Sequence, residues 1–172
     1  MRMTPRILTA CAIAALTVGG AERLLVAMAN SLARRGWEAH MICLSTAGEL
    51  AAELDLDVRL HVLDKRLGVD PTLPLKLRRL IRRIRPQAIN SHLWVANFWT
   101  RLSLLGTGVP IVATEHNRDS WKSPLYRMLD RRLAPGTRAL VAVSEDTARF
   151  YRDEVGIRST PVRVINNGID TR

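Results

Sequence analysis

Gly19 and Gly20 stand side by side between an apolar run and a helical stretch that starts near Ala21. Without Cβ atoms the chain can turn sharply there and let a ligand approach the N–H groups of the helix start, where the dipole places roughly +0.5 charge. The chemistry that fits is binding of a phosphate or another anion. Four more polar groups follow apolar runs downstream: Ser91 with His92; Glu115, His116 and Asn117; Ser144; and Asn166, Asn167 and Gly168. They supply imidazole, hydroxyl and amide hydrogen-bonding groups, the kind that hold a polar substrate.

Several other chemistries are excluded or disfavoured by spacing. Thr17-Val18-Gly19-Gly20-Ala21-Glu22 is not G-x-G-x-x-G, and no G-x-x-x-x-G-K-[ST] occurs, which argues against a dehydrogenase or a P-loop NTPase. Asp55-Leu56-Asp57 could share a hard cation, yet it follows an acidic helical stretch and precedes a strand instead of ending one. No metal and no cofactor are expected. The cysteines, Cys11 and Cys43, lie in apolar runs without Cys-x-x-Cys, so neither a disulfide framework nor a zinc knuckle is encoded and a cytoplasmic location is expected. His40 and His61 fall within or beside expected strands and read as structural.

The elements that must position these groups alternate between β-branched apolar runs and helix-period stretches, the pattern of parallel βαβ units. Strands are expected over 7–15, 39–44, 58–63, 88–90, 111–114, 139–143 and 162–165, with helices over 21–35, 48–54, 73–85, 93–105, 124–133 and 145–155. The fold class is therefore α/β, a Rossmann-like parallel sheet of about seven strands flanked by helices. Ligands of such open sheets bind beyond the carboxyl ends of the strands, which is where every polar group named above falls. Gly36 and Pro86 mark helix ends, and the Ser144 hydroxyl can cap the last helix.

Composition agrees with one domain: 172 residues, 47% hydrophobic, too apolar for a disordered tail. No apolar run reaches the ~20 residues that cross a bilayer. Arg2, Arg6 and the following apolar run imitate a secretory signal, but the run passes straight into Gly19-Gly20 and a helix, and a buried first strand fits better. Net charge is +10, and the segment from Pro71 to Thr114 has no acidic residue. Its helix carries Lys76, Arg78, Arg79, Arg82, Arg83 and Arg85 around an apolar stripe of Leu77, Leu80, Ile81 and Ile84. An alternative function follows from that helix, a basic binding module docking on an anionic membrane surface or nucleic acid, with the membrane preferred because exposed stacking aromatics are few.

Five motifs in order resemble the amino-terminal domain of retaining glycosyltransferase family 4, of GT-B fold. They are Gly19-Gly20-Ala21-Glu22-Arg23-Leu24-Leu25 with Leu32 to His40, Asn90-Ser91-His92-Leu93-Trp94, Val112 to Asn117, Val141 to Glu145, and Val164 to Asp170. The first strand is longer and richer in alanine than the family's, and the region from Glu49 to Pro74 is weakly defined. The resemblance implies an amino-terminal domain over 1–165, the start of an interdomain linker over 166–172, and a carboxyl-terminal domain that is absent from the chain. It implies transfer of a sugar from a nucleotide-sugar donor to a glycan or lipid-linked acceptor, with retention and without a metal. His116 is then the catalytic candidate, beside the reacting sugar. His92 lines the acceptor side, and Gly19, Gly20, Asn117, Ser144 and Asn167 complete the substrate- and phosphate-binding set. A truncated chain of this kind is expected to be inactive alone, cytoplasmic, and able to sit peripherally on the inner face of a membrane.

Overall fold

The computed structural model describes residues 6–11 and 16–168. The strands are β1 (Arg6–Cys11), β2 (Glu38–Cys43), β3 (Arg59–Val62), β4 (Ala88–His92), β5 (Ile111–Glu115), β6 (Ala139–Ala142) and β7 (Val162–Val164). The helices are α1 (Gly20–Arg34), α2 (Leu73–Ile84), α3 (Leu93–Leu104), α4 (Pro124–Leu133) and α5 (Glu145–Arg149). Every strand pairs in parallel with its neighbours, in the order β3-β2-β1-β4-β5-β6-β7. The expected continuation of the first strand over 12–15, the signal-like Arg2 and residues 169–172 of the expected linker lie outside the described residues.

Burial on both faces explains why the second half of β2 and the residue after it, Met41 to Leu44, read as a continuous apolar run. Successive side chains point to opposite sides, so Ile42 joins the core of α2 and α3, with Leu77, Ile81, Ile89, Trp99 and Ile111, while Met41 and Cys43 join the core of α1, with Leu25, Val26 and Ala29. A third core sets Leu140 and Ala142 of β6 against Phe150, Tyr151 and Val155. The register places those β6 residues on the same side as Ile89 and Ile111. Right-handed crossovers account for this division: β1 to β2 runs one way along the sheet and places α1 on one face, and each step from β3 onward runs the other way and places its helix on the opposite face.

Two segments differ from expectation. The stretch expected as a helix over 48–54 is a 3-10 turn, Glu49–Glu53. Gly48 just before it has φ +78°, and a Cβ there would lie 2.4 Å from the Leu16 backbone nitrogen. The chain entering α1 is bonded to this turn through Leu16 N–H to Ala47 O at 2.7 Å and Leu50 N–H to Leu16 O at 2.8 Å, so the close approach requires glycine. The last expected helix is five residues of α5 continued as a π-helical turn, Phe150–Glu154. Such one-turn widenings often mark functional or strained positions.

Candidate functional site

β4 passes into α3 with no intervening residue: His92 ends the strand and Leu93 starts the helix. Leu93 takes φ +65°, a left-handed conformation that costs a branched L-residue on the order of 1–2 kcal/mol. Packing and hydrogen bonds hold the joint in that shape. The Ser91 hydroxyl donates to Asn97 Oδ1 at 2.5 Å, Asn97 Nδ2 donates to the Thr114 carbonyl at 3.0 Å, and the Thr114 hydroxyl donates to Asn90 Oδ1 at 2.9 Å. This ties the end of β4, the first turn of α3 and the end of β5 into one polar lattice, with Ser91 and Asn97 fully buried.

The lattice aligns the two expected histidines. His92 Nδ1 lies 2.9 Å from His116 Nε2, and the rings are tilted by 33° at a 5.2 Å centroid distance. Burial, helped by the neighbouring His116, pushes the His92 pKa down to about 3. Burial lowers that of His116 as well. The pair is thus neutral at physiological pH, able to donate and accept hydrogen bonds and carrying no fixed charge.

Behind His116 lies a group of buried charges that the sequence does not announce. Lys122, on the loop after β5, donates to Asp130 Oδ2 at 2.8 Å and to the Tyr151 hydroxyl at 2.7 Å, and lies 3.1 Å from Asp119 Oδ2. The Tyr151 hydroxyl donates to Asp119 at 2.9 Å, and the Trp94 indole N–H donates to Asp130 at 3.1 Å. Arg101 of α3 lies 3.4 Å from Asp130 and 3.8 Å from Glu115. Three carboxylates face two cations here, and burial pushes the Glu115 carboxyl up to about 7 against the attraction of Lys122 and Arg101. Tyr151 is raised too, first by burial and then by the carboxylates around it. Charged residues within an apolar helix period were the available signal, at Arg101 above all, but nothing in the sequence says which partners they meet.

The other expected residues are less closely joined. Gly19 is the N-cap of α1 in extended conformation, and a Cβ on it would meet the Glu22 carboxylate at 2.4 Å, so a buried acidic side chain folds back over the helix start. Gly20 has nothing within 4 Å of a Cβ position and faces open space. Ser144 caps α5: its Oγ accepts from Thr147 N–H at 3.1 Å and donates to the Thr147 hydroxyl at 3.0 Å. Asn117 and Asn167 are exposed. Among the described residues no direct bond joins the histidine pair to Gly19, Gly20, Asn117, Ser144 or Asn167; what they share is the carboxyl edge of adjacent strands.

Two grooves, of about 640 and 1200 Å³, lie elsewhere, the first at the amino ends of β4 and β5 and the second along β5, β6 and β7. The first is lined by Arg78, Arg82, Arg85 and Leu105, the second by Gly108, Thr137, Val141 and Ile165 among others, and neither contains a residue expected to bind or act on the sugar substrates. The site on this chain is an open edge. The basic helix also differs from a free charged face, because Arg78 donates to the carbonyls of Ser103 and, at 2.7 Å, Leu105, and so closes the carboxyl end of α3. Asp55 of the D-x-D sequence accepts from Arg34 at 2.9 Å. His40 and His61 form a second pair, Nδ1 to Nε2 2.9 Å, with Glu38 3.2 Å from His40. No described helix is long and apolar enough to cross a membrane.

The sequence profile described as Glycosyltransferase Family 4 matches residues 18–172. No curated protein matches the chain. Solved structures share its fold. HepE from Anabaena, crystallised with UDP, superposes with a TM-score of 0.72 at 20% identity, covering 98% of this chain and 45% of that one. Sucrose-phosphate synthase from Thermosynechococcus elongatus gives 0.77 at 11% identity, covering 96% and 49%. MurG from Acinetobacter baumannii gives 0.66 at 14% identity, covering 98% and 46%. The chain spans just under half the length of these three proteins.

Proposed function

Because this chain belongs to glycosyltransferase family 4, we propose that it is the acceptor-side, amino-terminal domain of a GT-B enzyme that moves a sugar from a nucleotide-sugar donor to a glycan or lipid-linked acceptor. The observation that carries the reading is the neutral His92–His116 pair at the carboxyl edge of β4 and β5, 2.9 Å between ring nitrogens. A neutral imidazole can hydrogen-bond a sugar hydroxyl or a developing charge without being drawn into an ion pair with the diphosphate. Crystals of HepE contain UDP and, separately, UDP-glucose, which supports a uridine nucleotide as the first donor to try.

In this reading the leaving diphosphate approaches on the open side of Gly20, and the Glu22 carboxylate, folded over Gly19, turns aside to free the N–H groups at the start of α1. Oriented N–H donors stabilise growing negative charge without having to reorganise as the bond breaks. His116 hydrogen-bonds the reacting sugar, Asn117, Ser144 and Asn167 serve the rest of the substrate, and the buried His92, expected to line the acceptor side, acts through its contact with His116. Retention at the anomeric carbon belongs to the same proposal. The open edge supports a cleft whose far wall comes from a second domain that binds the nucleotide, since positioning two substrates together is worth roughly 7–11 kcal/mol of the barrier.

A lipid-linked acceptor at the inner face of a membrane is supported by one surface. Trp121 and Leu125 are each 58% exposed and lie with Tyr126 and Met128 just past the loop that carries His116. Trp121 and Tyr126 pack on Trp94, with centroids 5.5 and 4.8 Å away, and exposed Arg131 and Arg132 follow on the same helix. Aromatic and aliphatic groups beside arginines suit an anionic bilayer interface.

The test is nucleotide release. The chain is supplied with nucleotide sugars and with lipid and glycan acceptors, alone and with a separately expressed carboxyl-terminal half of a family member. Turnover only in the combined sample supports the proposal; sustained turnover by the chain alone refutes the half-enzyme reading.

A further inference from the structure

His92 is 2% exposed, and its Nε2 is buried with no hydrogen-bond partner among the described residues. Its other nitrogen, Nδ1, faces His116 Nε2 at 2.9 Å. Two neutral imidazoles in contact at that distance must divide their protons so that one nitrogen donates and the other accepts. Only two arrangements exist. If His116 donates from Nε2, the single proton of His92 must sit on its Nε2, and a buried N–H is left without an acceptor. If His92 donates from Nδ1, its Nε2 carries only a lone pair. Buried orphan N–H groups are rarer in folded proteins than under-used acceptors, and stranding a donor costs its full desolvation.

We infer that His92 is a positioning residue, which donates from Nδ1 to His116 Nε2 and thereby locks His116 in the Nδ1–H tautomer with that N–H directed away from the pair. The low pKa of His92 is consistent with this, because a second proton on that ring would have no partner. His116 is half-buried, and its Nδ1 is neither bonded to protein among the described residues nor one of the sealed, unpartnered atoms, so it is open to a ligand. Resting on the glycosyltransferase reading, the consequence is specific. Toward the substrate, His116 is a hydrogen-bond donor, offering an N–H to a sugar oxygen, and it is not poised as a base that collects a proton at that nitrogen. The Leu93 turn and the Ser91–Asn97–Thr114 bonds serve the same end by fixing the ring of His92.

The tautomer can be read without activity. The experiment is long-range 1H–15N correlation NMR of the imidazoles in the 172-residue chain near pH 7.5, with His116→Ala used to assign its signals. The expected result is protonated Nδ1 and bare Nε2 in both His92 and His116, and a return of His116 toward the Nε2–H form, preferred by a free histidine side chain, in His92→Phe. A wild-type His116 protonated on Nε2 overturns the inference even if the variant fails to fold, and so does a His116 tautomer unchanged by His92→Phe in a folded variant. Should the tautomer be as inferred while His116→Ala leaves turnover intact in a complete enzyme, the glycosyltransferase role of His116 fails and the proton arrangement stands. The two readings therefore fail separately.

Discussion

Lys122 and Asp130 form an ion pair, Nζ to Oδ2 2.8 Å, with both side chains closed to solvent. The pair ties the loop that follows His116 to α4, and the hydroxyl of Tyr151 extends it to the π-helical turn. Removing one member of a buried pair strands the other charge, so Lys122→Met is expected to destabilise the chain by about 3–5 kcal/mol. The exposed Arg152–Glu145 pair, 3.1 Å apart, is the control, and Arg152→Met should cost at most about 1 kcal/mol. Urea unfolding of the two variants measures both. Equal midpoints would remove the buried cluster from any account of this fold's stability.

Glu115 gives the cluster a pH dependence. Its folded pKa, about 7, lies above the ordinary value of 4.5, so the folded chain binds the extra proton between those limits. Stability from this group is fully present below about pH 4.5 and is lost as pH rises through 7. Glu115→Gln keeps a neutral hydrogen-bonding group and should abolish that loss. Stability of wild type minus variant, followed from pH 4.5 to 8, should fall by up to a few kcal/mol; a flat difference curve rules the shift out.

His92 contributes the opposite slope. Its pKa falls from 6.5 to about 3 on folding, so the unfolded chain binds more protons in that window. The stability it contributes is fully present above pH 6.5 and is lost progressively as pH drops toward 3. His92→Phe should make the chain less sensitive to acid, measured as the change in urea midpoint between pH 7 and pH 4.5. An unchanged acid sensitivity would place the titrating group elsewhere.

Two glycines should behave differently under substitution. A Cβ at Gly20 meets nothing within 4 Å, whereas one at Gly48 meets Leu16 backbone at 2.4 Å on a residue with φ +78°. Gly20→Ala is expected to leave thermal stability unchanged or raised by less than about 1 kcal/mol, and Gly48→Ala to lower it by more than that. Gly20→Val in a complete enzyme should weaken nucleotide-sugar binding at least tenfold in a calorimetric titration, about 1.4 kcal/mol. Full affinity in that variant would move the phosphate away from α1.

If His116 acts mainly on the transition state, His116→Ala in a complete enzyme lowers kcat by about 100-fold or more and changes donor Kd little. Steady-state kinetics together with direct binding separates the two. A drop in affinity alone would make His116 an ordinary contact for the donor.

The framework was legible because periodicity records burial. The run expected as a strand over 111–114 is Ile111–Glu115, and the helix expected over 124–133 is Pro124–Leu133. Position along a strand was equally legible: residues after β4 and β5 were the ones to inspect, and the structure joins His92 to His116. What stayed hidden were partners far apart in sequence. Arg78 stands out in the sequence only as one of the charges around the basic helix, but it caps α3 some 25 residues away. A linear sequence gives no sign that Asp119, Asp130 and Glu115 converge on Lys122 and Arg101. His40 and His61 were expected to be structural without any hint that their rings stack at 6°. At 48–54, helix-forming residues were overridden by the contact between Gly48 and Leu16.

The direct passage from β4 into α3 leaves no slack between sheet and helix. A loop would absorb a small rotation of α3 by flexing; here the first residue past the hinge is Leu93, already confined to φ +65°, and the last before it is His92. Any tilt of the helix therefore acts directly on the backbone of His92. The far end of α3 is held by the Arg78 guanidinium on the carbonyls of Ser103 and Leu105. One helix thus runs, with no loop between, from the contacts of Arg78 at the amino edge of the sheet to the strand end that carries His92 at its carboxyl edge.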